Sequence, residues 1–230
     1  MMEPTQPIHE EESRTRPIAL GIAVVAGIIA AVLRIVPHPP SFSGVGAVGI
    51  FGGARLRGWQ AFLLPIVVMV LSDLSLWVLT GFDPKYSLGH LSRAYVYAAF
   101  GVYVLIGRCL QKRDSIGSFA VAALVGGLQF FLVTNFCEWL FQPLQYHLIP
   151  EAFRYSRDLG GLATCFAYAL PFYGETPYVS KPFMLFQDHQ LSLAWTCIGD
   201  FVFSTAYLLA YRAFTQPTAK TAPEPVVANS

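Results

Sequence analysis

Asp73, Asn135, Glu138 and Asp200 interrupt stretches of chain that otherwise carry almost no charge. Asn135 and Glu138 are three residues apart, so on a helix they share a face. Thr134 and Gln142 fall within roughly the same 100° arc, and Phe131 and Trp139 lie close by. Polar groups set beside aromatic rings are how a pocket holds a small polar ligand. For Asp73 and Asp200 two readings stand level: a ligand-facing carboxylate, or a group that ties neighbouring helices together. Glu138 or Asp200 could also serve as the acid or base of an embedded enzyme.

A second set of chemically capable residues lies in Arg34-Ile-Val-Pro-His-Pro-Pro-Ser-Phe-Ser-Gly44. Pro37, Pro39 and Pro40 fix φ and remove backbone donors, so the chain turns here and presents His38 and Phe42 from a rigid loop. Other enzyme signatures are missing. There is no HExxH, GxSxG or P-loop pattern, and His9, His38, His90, His147 and His189 are not at metal-ligand spacing from one another. Cys109, Cys137, Cys165 and Cys197 are widely spaced in apolar segments, which implies neither a disulfide framework nor a zinc site. No cofactor is expected.

The elements that position these residues are membrane helices. The 230 residues are 54% hydrophobic and 13% charged, against about 25% charged in a soluble domain, and the mean hydropathy is +0.50. A net charge of +1 gives no footprint for nucleic acid. The expected fold is an all-α membrane protein: a six-helix transmembrane bundle over residues 17–214, with a flexible tail at 1–16 and a disordered tail at 215–230.

The first span, Pro17 to Leu33, repeats small residues every four positions (Ala19, Ala23, Gly27, Ala31). Such a ridge serves either internal helix packing or docking on another membrane subunit. The second, about Gly44 to Ala54, is rich in glycine and predicts very close helix contact. The third, Gln60 to Thr80, should bury the face carrying Pro65, Met69, Ser72, Asp73, Trp77 and Thr80. The fourth covers Ala94 to Gly107 and the fifth Ile116 to about Phe141, with Pro143 in the loop beyond. Gly160 to Tyr173 is too short to cross comfortably and reads as a re-entrant or external helix. The last span, Leu191 to Tyr211, carries Ser192, Thr196, Gly199, Asp200, Ser204, Tyr207 and Tyr211 on one stripe. Ile198, Phe201, Val202, Leu208 and Leu209 fall opposite.

Counting Lys and Arg in the loops favours cytoplasmic termini, with Arg55, Arg57, Arg108, Lys112 and Arg113 in short inner loops. The proline loop, residues 81–93 and residues 142–190 then share the outer face. The expected location is a bacterial inner or plasma membrane.

Arg34-x-x-Pro37-His38-Pro39-Pro40-x-Phe42, Phe51-Gly52-Gly53-Ala54, Leu71-Ser72-Asp73, Thr134-Asn135-Phe136-x-x-Trp139 and Gly161-Leu162-x-x-Cys165 form a set. It resembles a family of functionally uncharacterised small integral membrane proteins, over about residues 30–175. In overall plan the chain also resembles the substrate-binding S components of energy-coupling-factor vitamin transporters. That resemblance implies a loop after the first helix that gates a ligand pocket, and a ridge that docks a transmembrane coupling subunit served by ABC-type ATPases. The Ala19, Ala23, Gly27 and Ala31 ridge and the loop Arg34–Ser43 occupy the corresponding positions. The implied function is binding of a small polar micronutrient at Thr134, Asn135, Glu138 and Trp139, with His38, Phe42, Asp73 and Asp200 contributing. An embedded enzyme and a structural membrane protein are the alternatives.

Overall fold

The computed structural model of the chain describes residues 6–36, 42–82, 87–145, 153–169 and 192–216. These form seven helices and no strand: α1 (Gln6–Leu33), α2 (Val45–Arg55), α3 (Gln60–Leu79), α4 (Ser92–Arg108), α5 (Ile116–Gln145), α6 (Leu159–Ala169) and α7 (Ser192–Thr215). Four stretches are long and apolar enough to cross a bilayer: Thr15–Leu33, Gln60–Leu79, Ile116–Leu144 and Leu193–Thr215. Their outward faces are apolar. Leu20, Val24, Val25, Ile28, Ile29 and Val32 on α1, and Val121, Leu124, Val125 and Leu128 on α5, are all exposed. A water-soluble fold does not leave stripes of that size uncovered, whereas a bilayer covers them. This is an integral membrane protein by the length and composition of its helices.

The core is built around α2, whose residues Val45 to Ala54 are all buried. At 11 residues it is only about 16 Å long, too short to cross the hydrocarbon by itself. It lies walled in by α1, α3, α4 and α7. Glycine makes this possible. A Cβ on Gly53 would sit 3.0 Å from the Arg108 amide nitrogen and closer still to the Val104 carbonyl, and one on Gly107 would strike the Ile50 carbonyl. The α2 and α4 backbones therefore touch directly, the arrangement that small residues permit in membranes. The expectation of a tightly packed second helix is met, in a segment shorter than a full span.

Two ends can be distinguished by their contacts. At one, Arg55 pairs with Asp114 and donates to the Arg113 carbonyl (3.0 Å), Arg108 donates to the Gly58 carbonyl (2.8 Å), and Arg212 donates to the Asp114 carbonyl. Short turns join the helices here. At the other end lie Arg34, Arg93, the last turns of α3 and α5, α6 and the start of α7.

Several local expectations are revised. On α3, Pro65, Met69, Ser72 and Asp73 are buried as the helical spacing predicts, with Trp77 and Thr80 half-buried toward the helix end. On α7, Gly199, Asp200, Ser204 and Tyr207 are buried and Ile198, Phe201, Val202 and Leu209 are exposed, but Leu208 is fully buried. It follows Tyr207 around the helix into the seam beside the core.

Pro143 lies inside α5 rather than beyond it. Proline cannot donate to the carbonyl four residues back, here that of Trp139. That carbonyl instead accepts from Arg157 Nη1 (2.7 Å) and Gln142 Nε2 (3.2 Å), and Arg157 Nη1 also donates to the Leu140 carbonyl (3.0 Å). The helix continues because side chains replace the missing donor.

Candidate functional site

Where α4, α5, α6 and α7 meet at the end bearing the long connections, they enclose a cavity of about 710 Å³. That is the size of a small-molecule site. Thr134, Asn135 and Glu138 line it, as the α5 spacing predicts, and they are joined by Arg93, Tyr95, Arg154, Tyr155, Tyr168 and Thr196. The Tyr95 hydroxyl donates to Glu138 Oε2 at 2.5 Å. Thr134 and Asn135 donate to the carbonyls of Phe130 and Phe131 at 2.7 Å each, which fixes both side chains along the cavity wall. Helix α6 closes one side, held to α5 by Cys165 Sγ on the Asn135 carbonyl (3.4 Å) and by Phe131 against Phe166 (5.7 Å between centroids).

Trp139 does not line the cavity. Its indole donates to the Ser156 carbonyl (2.8 Å), and the Arg157 guanidinium lies 4.8 Å over its ring. Buried Gln142 accepts from the Tyr155 backbone N–H at 2.9 Å and donates to its carbonyl at 3.3 Å. Together they fasten residues 155–158 across the end of α5, and so place Tyr155 and Arg154 at the rim. Desolvation pushes the Tyr155 phenol up, keeping it protonated at neutral pH.

Asp73 is not in the cavity either. It is fully buried, pairs with Arg34, accepts from Tyr97 Oη at 2.8 Å and lies 3.4 Å from Arg93 Nε. Arg34 Nε also donates to Ser72 Oγ at 2.8 Å. One carboxylate thus joins α1, α3 and α4 just behind the cavity wall, which is the tying role rather than the ligand-facing one.

Asp200 sits deeper, about two turns into α7, on a smaller cavity of about 110 Å³ shared with Arg34, Ser43, Gly46, Tyr103 and Thr196. Tyr103 Oη donates to it at 2.5 Å and the Ala47 N–H faces it. Ala47 is in the first turn of α2, whose amides have no partner within the helix. Asp200 therefore caps α2 from a different helix. Val96, Phe130 and Thr196 line both cavities and form the partition between them.

Phe42 packs on α7, 5.2 Å from Phe203 and 6.1 Å from Trp195. It packs beside Gly44, whose φ of +67° favours glycine. His38 lies outside the described residues. The small ridge of α1 faces inward. Ala19, Ala23 and Gly27 are buried and Ala31 is half-buried, and a Cβ on Gly27 would lie 3.0 Å from Val68 of α3.

Sequence reasoning missed Arg93, Tyr95, Arg154, Tyr155 and Tyr168. Arg93 falls in the expected loop 81–93 and Tyr95 within the expected fourth span, where nothing in the spacing marks a ligand face, and the 154–155 pair reaches the cavity only because Gln142 and Trp139 pull it in.

The sequence profile of the DUF6580 family, a family of unknown function, matches residues 13–222. The chain belongs to that family. The expected membership in a group of uncharacterised small membrane proteins agrees with this. Neither the curated proteins nor the solved structures include a match to the chain.

Proposed function

We propose that this DUF6580 chain is a membrane-embedded binding subunit that takes up a small polar micronutrient, in the manner of an S component, and is powered by a separate ATPase module. The observation that carries the reading is the 710 Å³ cavity, ringed by Thr134, Asn135, Glu138, Arg93 and Arg154 at the end with the long connections. In this reading α2 and α4 complete six crossings, with Phe42, just ahead of α2, packed against α7. Arg55, Arg57, Arg108, Lys112 and Arg113 mark the cytoplasmic end, and the cavity faces outward. The small-residue ridge of α1 is largely buried, with Gly27 against Val68 of α3, so a coupling subunit would meet the outward Leu20, Val24 and Ile28 face.

The test is purification of the tagged chain from its native membrane in mild detergent, with mass spectrometry of the co-purifying proteins and of the small molecules released on denaturation. A multi-span partner with ABC-type ATPases, and a small molecule that Thr134→Trp no longer retains, are the expected results. A solitary protein would remove the powered-uptake half of the proposal. A ligand retained by Thr134→Trp would remove the cavity assignment.

A further inference from the structure

The cavity lining is unevenly charged. Among the described residues around it, Arg93 and Arg154 face one carboxylate, Glu138. Behind the wall, Arg34 and Asp73 cancel, with Arg93 shared between that carboxylate and the cavity, so the lining's excess of one positive charge is unchanged. Asp200 does not redress the balance at the cavity. It lies below the Val96–Phe130–Thr196 partition, bonded to Tyr103 and to the start of α2. Glu138 is engaged by the Tyr95 hydroxyl. Counted over the described residues, the cavity is left with one positive charge in excess, with Arg93 and Arg154 on its wall, and a charge there is less screened than in bulk water.

We infer that the cavity takes a soluble organic anion, one bearing a carboxylate or phosphate, with Arg93 and Arg154 as its counter-charges. Guanidinium groups suit this role because their planar fork meets two oxygens of a carboxylate or phosphate at once. Thr134, Asn135 and Thr196 supply neutral hydrogen-bonding groups for the remainder of the ligand, and Phe130, Phe131 and Tyr168 supply its apolar contacts. Tyr155, protonated at the rim, adds a further donor. The inference rests on the reading of the cavity as a binding site.

The electrostatic claim can be measured without knowing the ligand. With Cys109, Cys137, Cys165 and Cys197 changed to alanine, a single cysteine is placed in the wall by Thr134→Cys. The full chain is reconstituted in phosphatidylcholine nanodiscs. Labelling rates are read for an anionic reagent, 2-sulfonatoethyl methanethiosulfonate, and a cationic one, 2-(trimethylammonio)ethyl methanethiosulfonate, each normalised to 2-mercaptoethanol. The anionic reagent should be favoured by roughly tenfold, as expected for one net charge a few ångströms away in a partly shielded site. Arg93→Gln or Arg154→Gln should erase most of that preference. Ser92→Cys, on the same wall, serves if Thr134→Cys does not fold.

A ratio at or below that of free thiol overturns the anion assignment and leaves the binding cavity standing. A raised ratio that neither arginine variant lowers removes the two arginines from the role. No labelling by either reagent, in a chain whose cysteine reacts once unfolded in detergent, shows a cavity closed to water and overturns both readings. Slowed anionic labelling when phosphatidylglycerol is added to the nanodiscs would reassign the site to a lipid headgroup.

Discussion

The Asp200 carboxylate of α7 lies against Gly46 of α2, so closely that a Cβ on Gly46 would fall 2.7 Å from Asp200 Cγ. The same carboxylate receives the Tyr103 hydroxyl from α4 and faces the Ala47 amide. Three helices therefore meet on one buried acid, and glycine at position 46 is what leaves room for it.

Gly46→Ala should destabilise the bundle by about 1–3 kcal/mol, because the added methyl forces either Asp200 or the α2 backbone to move. Thermal unfolding in detergent, followed by intrinsic fluorescence, measures this. Asp200→Ala introduced with Gly46→Ala should cost less than the two single losses added together. Strict additivity would show that the two residues do not share that space.

Asp73→Ala leaves Arg34 and Arg93 facing each other without their shared acid. Removing one member of a buried ionic cluster costs about 3–5 kcal/mol, so this variant should be among the least stable in the chain. Tyr97→Phe removes a single donor to the same carboxylate and should cost about 1 kcal/mol. The ranking can be read from unfolding midpoints in detergent. Equal, small losses would mean that Asp73 is not the joint between α1, α3 and α4.

Pro143 and Arg157 form a compensated pair. Arg157→Ala should loosen the end of α5 by about 1–2 kcal/mol, because it strips the Trp139 carbonyl of its 2.7 Å donor. Pro143→Ala restores the backbone donor, so Arg157→Ala made in that background should cost measurably less. A double-mutant cycle on unfolding free energies gives the coupling directly. A coupling of zero would refute the substitution of side chain for backbone.

Asp158 precedes α6 and accepts from the Gly161 N–H (2.7 Å) and the Ser156 hydroxyl (2.8 Å), which lower its pKa below the usual carboxylate range. A carboxylate with a depressed folded-state pKa contributes stability above its unfolded pKa and loses it as pH falls through the folded one. Amide exchange at the start of α6 should therefore quicken in the acid range below the ordinary aspartate pKa, once intrinsic chemistry is corrected for. Asp158→Ala should quicken it at neutral pH and flatten the dependence. An unaltered pH profile in that variant would remove Asp158 as the helix cap.

Periodicity made the buried stripe of α3 legible, because Met69, Ser72 and Asp73 repeat at helical spacing and one face had to leave the lipid. The same logic found Thr134, Asn135 and Glu138 on the cavity wall. It could not say what Asp73 and Asp200 bond to, because that depends on partners distant in sequence: Arg34 and Tyr97 for one, Tyr103 and Ala47 for the other. Trp139 looked like a ligand-stacking ring from its neighbours on α5. Its indole N–H goes instead to Ser156, a loop contact that no helical spacing encodes. The glycines of α2 signalled close approach, yet the neighbour of each, Val104 for Gly53 and Asp200 for Gly46, emerges only when the helices are assembled.

Helix α2 has no surface of its own to offer to lipid, and the acid that completes its first turn belongs to the last helix of the chain. A ribosome that has released α2 has more than a hundred residues still to make before Asp200 exists. Until then the Ala47 amide in the first turn of α2 has no acid to receive it, and hydrocarbon supplies no replacement. Assembly of the bundle is therefore completed from its carboxyl end. A chain stopped short of α7 would hold an open-ended helix at its centre.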